Sequence, residues 1–411
     1  MLNRRDVLKA LAATSVGALL PRPQGAAASG GAHHADDRPR YHVFIFLSGG
    51  ADAVYTADPR TKSEVAAEID VPYGADAIKS FGKDVRVGPH LGMLGDHVRD
   101  LAIVKGVHTH VLNHVSGTHQ FLRLRIGGAD TPSICSVLAS QRDTQAVGEL
   151  YISFSGFDTF VPRFLGSAES SEGPDFFELL DQTSPEDLKR LAKIYRRQHD
   201  ELARDRAARP EQVGTATNLD ECSRLFDRVA QSPHFKAEDW GPSDAGPDFQ
   251  RALWALENDL ACSVFIAHRG WDTHNDNAAH QTVRANKLYP VLARFMSELK
   301  TRRNRFGTLW DNTVLLFGSE LGRFPRLNKM LGKDHFPEAP YILAGKGIKP
   351  GVYGATGKEL EALPISFDTG RAKHGGDKVS LNDLSATMLA RSGINPLVYG
   401  YTGRQLSFLF G

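Results

Sequence analysis

Short apolar runs alternate with longer amphipathic stretches along most of the chain. The first run, Tyr41–Leu47, is almost continuously apolar and ends at Ser48-Gly49-Gly50. A continuous run of this length is typical of a strand that is buried on both faces. Further strands are predicted at residues 101–107, 150–154, 262–267, 313–317 and 341–344.

Amphipathic stretches predict helices between these runs. They lie at residues 91–99, 249–260, 279–302 and 381–392, the last of which ends before Gly393. Strands that alternate with helices predict an α/β fold, a three-layer sandwich with a mostly parallel sheet and helices on both faces. The residues after the last helix are predicted to form a surface tail.

The first 28 residues have the pattern of a twin-arginine signal peptide. Arg4 and Arg5 precede a short apolar stretch, residues 10–20, and a small-residue run at residues 26–28. This order predicts export through the twin-arginine machinery, cleavage, and a periplasmic or secreted protein. The alternative is an ordinary amphipathic helix. The apolar stretch is shorter than the ~20 residues of a membrane span, so no stable span is expected after cleavage.

The remainder divides into two parts by composition, and the second contains an insertion. Residues 29–39 are small and polar, and are predicted to be a flexible lead. Residues 40–411 are predicted to form the α/β domain. Within it, residues 155–245 are charged, with a helical pattern and little strand pattern, so they are interpreted as a helix-rich insertion or cap.

Composition narrows the class of partner. The 49 Lys and Arg residues balance the 48 Asp and Glu residues, so there is no positive excess for nucleic acid or anionic lipid. A small molecule or another protein is the expected partner. Cys135, Cys222 and Cys262 allow at most one internal disulfide, and we interpret them as small buried residues, with a structural disulfide as the alternative.

Titratable side chains follow most of the predicted strands, where the functional groups of a doubly wound sheet gather. Clusters of Asp, Glu and His from several strand ends are what one or two divalent metal ions require. Each residue alone is also explained by a turn or a helix cap. The candidates are Asp52, His108, His110, Asn113, His114, Ser116, Thr118, His119, Asp272, His274, Glu320, Arg323, Asp334 and His335.

Taken together, these segments resemble the alkaline phosphatase superfamily and, within it, the exported bacterial family called domain of unknown function 1501. The resemblance covers nearly the whole mature chain. It rests on residues 47–52, 271–274, 319–323, 334–335, 347–354, 383–387 and 401–404. It implies an alkaline-phosphatase-like fold and an exported, metal-dependent hydrolase of phosphate or sulfate esters, with a small anionic ester as substrate.

The resemblance also implies one or two divalent ions, namely zinc, manganese or calcium. The implied ligands of one site are Asp272, His274 and His335, with Asp334 beside them, and those of the other are Asp52 and Glu320.

The implied nucleophile is Thr118, at the start of a predicted helix, with the alternative that it only caps that helix. His119, Ser116 and His114 are its rivals. Arg323 is predicted to contact a substrate anion or to pair with a nearby carboxylate.

Two departures from the superfamily keep other hypotheses open. Leu321 follows Glu320 where relatives have a histidine, and Asp52 lies beyond the end of its strand. One metal site is therefore incomplete in this interpretation, which favours a second hypothesis, a catalytically degenerate protein that binds or assembles in the periplasm. A third is that the His-rich residues 108–119 store or sense metal. His374 and Asp377 are further site candidates.

Overall fold

The computed structural model describes residues 19–20, 38–82, 84–127, 131–140, 149–152, 163–164, 183–204 and 223–410. The predicted signal peptide and flexible lead therefore fall almost entirely outside the described residues, as do Cys222 and much of the predicted insertion at residues 155–245. Cys135 and Cys262 are buried, as the sequence predicts.

A seven-stranded sheet forms the centre of the described part of the chain. In chain order its strands are β1 Tyr41–Ser48, β2 Ala102–His108, β3 Glu149–Ile152, β4 Ser263–Arg269, β5 Thr313–Gly318, β6 Glu338–Gly345 and β7 Gly351–Tyr353. Their spatial order is β7-β2-β6-β5-β1-β4-β3. Neighbouring strands pair in parallel, except that β6 is antiparallel to both β5 and β2. The predicted mostly parallel sheet is confirmed.

The helices with defined bounds are α1 His114–Arg123, α2 Ile134–Ser140, α3 Pro185–Arg204, α4 Gly246–Glu257, α5 Asn277–Thr301 and α6 Leu381–Arg391. Residues 223–231 are also helical. The helices predicted at 249–260, 279–302 and 381–392 are confirmed as α4, α5 and α6. The segment predicted as a helix at 91–99 is a 3₁₀ segment, Leu91–Asp100, broken at Gly95.

Alternate residues of β1 face two different helical layers. Val43 and Ile45 belong to the core that also contains side chains of α4 and α5. Phe44 and Phe46 belong to the core that contains side chains of α1, α2 and α6. Since successive side chains of a strand point to opposite faces, the continuous apolar run of β1 is explained by burial on both sides. The predicted α/β/α sandwich is therefore present.

Residues after α6 do not form the predicted surface tail. Tyr401 and Leu406 are fully buried, and the hydroxyl of Tyr401 donates a hydrogen bond to the carbonyl of Arg123 at 3.0 Å. The segment closes the core beside α1, because its aromatic and aliphatic side chains bury more apolar surface there than a solvent-exposed tail would.

Smaller elements complete the described structure. The two-stranded ladders join Leu19–Leu20 to Arg163–Phe164, Lys79–Ser80 to Arg86–Val87, Arg303–Asn304 to Gly307–Thr308, and Gly322–Arg323 to His335–Phe336. Short 3₁₀ segments are Lys62–Glu64, Ala75–Ala77, Trp310–Asn312, Pro396–Tyr399 and Ser407–Leu409. Among the residues described, none of the helices has the length and apolar character needed to cross a bilayer.

A buried histidine at the end of β4 makes the fold sensitive to acid. The indole Nε1–H of Trp271 donates to Nδ1 of His268 at 3.0 Å, and burial lowers the pKa of His268 from 6.5 to about 4. The unfolded chain therefore binds a proton more readily than the folded one. The stability that this histidine contributes is present above about pH 6.5 and is lost as the pH falls towards about 4.

We expect acidification from neutral pH to about pH 4 to remove roughly 3 kcal/mol of stability through His268. Urea unfolding at a series of pH values measures this loss, with His268→Gln as the comparison, because glutamine does not titrate. The Gln variant should show the shallower dependence on pH. Equal slopes for the two proteins would contradict the prediction.

Candidate metal centre

Four side chains from three segments converge beyond the carboxyl end of β4. His114 is the first residue of α1, Asp272 and His274 lie in the loop between β4 and α5, and His335 begins the short strand His335–Phe336. One potential ligand atom from each of the four lies within 4.8 Å of the others. We call this set the metal group. Three of its members come from the predicted site, and His114 was predicted as a rival nucleophile.

The start of α1 places His114 in this group. Asn113 has extended backbone angles, and its side chain accepts a hydrogen bond from the backbone N–H of Ser116 at 2.9 Å. This arrangement is an N-cap, which satisfies one of the helix's free N–H groups. The interpretation of Thr118 as the helix cap is therefore wrong, because Asn113 caps the helix and Thr118 lies within it.

Each histidine of the metal group donates its Nδ1 hydrogen to a carboxylate or carbonyl oxygen. The pairs are His114 with Glu320 at 2.7 Å, His274 with Asp334 at 3.1 Å, and His335 with the carbonyl of Leu112 at 2.6 Å. Such an oxygen accepts a hydrogen bond, so the hydrogen lies on Nδ1 and Nε2 of each neutral ring carries an unshared electron pair. Partners of this kind are typical of histidines that bind metal through Nε2.

The unshared pairs face one another. Nε2 of His274 lies 2.9 Å from Nε2 of His335. Nε2 of His114 lies 3.2 Å from Oδ2 of Asp272, and it is buried without a hydrogen-bond partner among the residues described. Facing electron pairs repel unless a cation lies between them, so the arrangement fits a metal ion.

The chemistry of the donors narrows the choice of ion. Three imidazole nitrogens and one carboxylate oxygen suit zinc, whereas calcium takes six to eight oxygen ligands and manganese prefers oxygen. Of the three ions predicted, the donor set favours zinc.

Two charged neighbours tune the protonation of the group. The hydrogen bond that His114 donates to Glu320 raises the pKa of His114, so in the absence of a cation this ring takes up a proton more readily. Burial raises the pKa of Asp272, but the larger combined effect of Arg323 and His114 lowers it. Metal and proton therefore compete at His114 while Asp272 stays ionised.

Asp52, predicted as a ligand of the second metal, lies elsewhere. Its Oδ2 accepts from Nζ of Lys333 at 2.7 Å and from Nδ2 of Asn277 at 2.8 Å. Lys333 and Asp52 are both buried. The ammonium group supplies the positive charge that a buried carboxylate needs, and Asp52 is not part of the metal group.

Glu320 and Asp334 also differ from their predicted roles. Glu320 is buried and accepts from the backbone N–H of Gly49 at 2.9 Å as well as from His114. Asp334 accepts hydrogen bonds from Nδ1 of His274 and from Nδ2 of Asn328, both at 3.1 Å. Both carboxylates therefore orient histidines of the metal group. The second metal site is not assembled among the described residues.

The predicted catalytic residues lie outside the metal group. Thr118 is buried, and its hydroxyl has no hydrogen-bond partner among the described residues. His119 lies outside the metal group, and burial lowers its pKa. Arg323 is buried and donates to Oδ1 of Asp272 at 2.8 Å, which is the carboxylate pairing predicted as its alternative role. Asp377 pairs with Arg404 at 2.8 Å.

Two glycines permit the close packing of the loop that carries Asp272 and His274. Gly49 has φ +118°, and a Cβ at that position would lie 2.2 Å from the backbone nitrogen of Asp272. A Cβ on Gly332 would lie 1.9 Å from the carbonyl carbon of His274. Both distances are far below van der Waals contact. The loop is thus held between the exit of β1 and the segment before His335.

Known proteins share features of sequence and fold with this chain. Residues 196–408, more than half of the chain, match the family model described as "Protein of unknown function (DUF1501)". The chain belongs to this family. The family description names no activity for this DUF1501 member. A search of curated proteins found no significant match.

Three solved structures are similar to the DUF1501 chain at low identity. A protein in the alkaline phosphatase superfamily from Vibrio parahaemolyticus is 13% identical, with 99% of this chain and 79% of that chain covered and a TM-score of 0.44. The lipoteichoic acid synthase LtaP from Listeria monocytogenes is 11% identical, with 93% and 78% covered and a TM-score of 0.43. The PsFucS1 sulfatase from Pseudoalteromonas sp. is 12% identical, with 91% and 72% covered and a TM-score of 0.40.

Glu320 offers a test of the orienting role in this DUF1501 member. Exchange of Glu320 for Gln keeps the size of the side chain but removes the charge that holds the Nδ1 hydrogen of His114. We expect about a tenfold loss of zinc affinity, the scale typical of residues that orient a ligand. Competition with a fluorescent chelator measures it. An unchanged affinity would show that Glu320 does not act through His114.

Proposed function

We propose that this protein is an exported, metal-dependent hydrolase of phosphate or sulfate esters that works with a single zinc ion. The observation that carries the proposal is the metal group, in which three histidine Nε2 atoms and the Asp272 carboxylate face one another while Asp272 and His274 remain exposed. Structural zinc sites are closed by four protein ligands, whereas catalytic sites keep a position for water or substrate and can expand to five-coordinate. The exposed side of the metal group would leave space for that position. Export is proposed on the pattern of residues 1–28.

A zinc ion held by the metal group would supply Lewis acidity, which polarises ester oxygens and lowers the pKa of water. The protein's own residues prepare the site. Arg323 lowers the pKa of Asp272 and so keeps this ligand ionised. Glu320 and Asp334 fix the rings of His114 and His274. The amino end of α1 lies at the metal group, because His114 is its first residue, and the helix dipole favours an anionic ester there.

Water takes the place of the predicted side-chain nucleophile in this mechanism. The burial of Thr118 supports this choice, because its hydroxyl is enclosed by the protein core and would have to become exposed to reach an ester. The ester class itself is proposed on the resemblance to the alkaline phosphatase superfamily. The exposed side of the metal group, formed by Asp272 and His274, is where such a substrate would enter.

A metal-binding role without turnover is the second candidate. The guanidinium of Arg323 is already engaged by Asp272 and by the carbonyl of Lys333 at 3.0 Å, so it is not available to a substrate anion. The ammonium of Lys333 is likewise taken up by Asp52. Because both cations are paired with carboxylates, neither is left to contact a substrate anion, and this is the observation that supports the second candidate.

Turnover of nitrophenyl phosphate and nitrophenyl sulfate separates the two candidates. The hydrolase should lose turnover on chelation, regain it with zinc, and lose it in Asp272→Asn. Thr118→Val, which removes the hydroxyl but keeps the side-chain volume, should leave turnover unchanged. If a folded, zinc-loaded Thr118→Val variant loses turnover, the nucleophile is the threonine hydroxyl and not water. A zinc-loaded wild type that hydrolyses neither ester, nor any of a broader ester panel, would favour the binding role.

A further inference from the structure

Exposed apolar side chains gather around the metal group. Ten large apolar side chains are exposed among the residues described, and six of them lie in two segments that border the metal group. We call these six the apolar rim: Leu112, Val115, Phe324, Leu327, Met330 and Leu331. Single exposed apolar residues are ordinary on protein surfaces, whereas a concentration around one site marks a contact surface.

The first rim segment is the start of α1. Leu112 and Val115 are both more than half exposed, and they flank His114. The carbonyl of Leu112 accepts the Nδ1 hydrogen of His335 at 2.6 Å, which ties this segment directly to a residue of the metal group. The Asn113 cap holds the turn between them. The two apolar side chains therefore have fixed positions beside the site.

The second rim segment, residues 324–331, is braced by Asn328. Its amide nitrogen donates to the carbonyl of His274 at 3.0 Å, and its amide oxygen accepts from the backbone N–H groups of Met330 at 2.9 Å and Gly332 at 3.0 Å. Gly332 packs on the backbone of His274. The segment is thus fixed against the metal group at one end while it holds its apolar side chains in solvent.

Leu331 combines an unfavourable backbone conformation with an exposed apolar side chain. Its φ is +56°, a left-handed conformation that leucine rarely adopts, and its side chain is 63% exposed. Neither the backbone conformation nor the exposure is favourable in water. Met330 beside it is 66% exposed. A surface that removes these side chains from water would recover the lost hydrophobic free energy.

We propose that the apolar rim docks on a lipid surface and that the substrate is a phosphate or sulfate ester in a lipid head group; the second part rests on the proposed function. A protein partner on the rim would cover the metal group from both sides and exclude substrate. A lipid surface supplies the apolar contact and the ester together, because head groups lie directly above the region that apolar side chains enter. Lys329, exposed beside Met330, would lie among the anionic head-group oxygens.

Co-sedimentation of the zinc-loaded mature protein with phosphatidylcholine vesicles tests the docking. The rim variant Met330→Ser/Leu331→Asn uses asparagine because it tolerates a positive φ. The matched control is Leu397→Ser/Val398→Ser, an exposed apolar pair in a different segment. We expect the wild type and the control to sediment with vesicles, and the rim variant to bind at least about tenfold more weakly.

The possible outcomes are distinct. A wild type that stays in solution, or a rim variant and control that bind equally, overturns the docking. A rim variant that changes only from dimer to monomer in analytical ultracentrifugation assigns the rim to a second copy of the chain and also overturns it. Vesicle binding is measured without turnover, so rim-dependent binding with no ester hydrolysis leaves the docking intact and refutes the proposed function. Hydrolysis of soluble esters without vesicle binding leaves the proposed function intact and refutes the docking.

Discussion

Replacing His335 by alanine is expected to lower the affinity for zinc by roughly a hundredfold or more. The change removes one of the four donors and leaves Nε2 of His274 without the atom that faces it at 2.9 Å. The carbonyl of Leu112 also loses its hydrogen-bond partner. Because His335 is partly exposed and lies at the end of a two-residue strand, the fold should tolerate the loss.

Elemental analysis after dialysis against a weak chelator measures the bound metal directly. The wild type should retain about one equivalent, as expected from a single mononuclear site, and His335→Ala should retain little. His280→Ala is the matched control, because His280 is exposed on α5 and lies outside the metal group. Equal metal retention by His335→Ala and the wild type would refute the metal group as the site.

The largest effect on stability is expected from Lys333→Met. The Nζ atom of Lys333 lies 2.7 Å from Oδ2 of Asp52, and both side chains are buried. Methionine fills the same space but leaves the Asp52 carboxylate without its counter-charge. Breaking a buried pair in this way costs about 3–5 kcal/mol of unfolding free energy.

Urea unfolding of the double variant Asp52→Asn/Lys333→Met distinguishes charge from packing. Asparagine removes the buried charge while it keeps the hydrogen-bonding oxygen that Asn277 contacts. The double variant should therefore recover much of the stability lost in Lys333→Met. If the double variant is as unstable as the single one, the loss comes from packing around the lysine stem and the charge argument fails.

The strands were predictable wherever burial on both faces produces a long apolar run. β1 and β5 are such cases, and their predicted bounds differ from the observed ones by a single residue. β7 was not predicted, since Gly351–Tyr353 is too short to show a pattern. The antiparallel direction of β6 was also beyond the sequence, because a buried strand has the same apolar pattern in either direction.

The site was predictable only as far as its ligands follow strand ends. Asp272 and His274 lie three and five residues after the end of β4, so their position in the loop at a strand end marks them. The ligand position of His114 depends on Glu320, which lies 206 residues further along the chain, and no local pattern reports that contact. Lys333 was missed because an isolated lysine in a loop has the composition of a solvated surface. Lys333 is buried because it pairs with Asp52, and Asp52 lies in the loop after β1, far from Lys333 in the sequence.

The absence of side chains at Gly49 and Gly332 bears on how other members of the family are compared. Aspartate and histidine are common after strands, and their presence alone does not show that a chain builds this site. A Cβ at either glycine would collide with the backbone that carries Asp272 and His274. A family member with a larger residue at both positions cannot hold the loop in this conformation, even if it keeps every ligand. These two glycines should therefore distinguish family members that form the metal group from members that keep only the residues of its ligands.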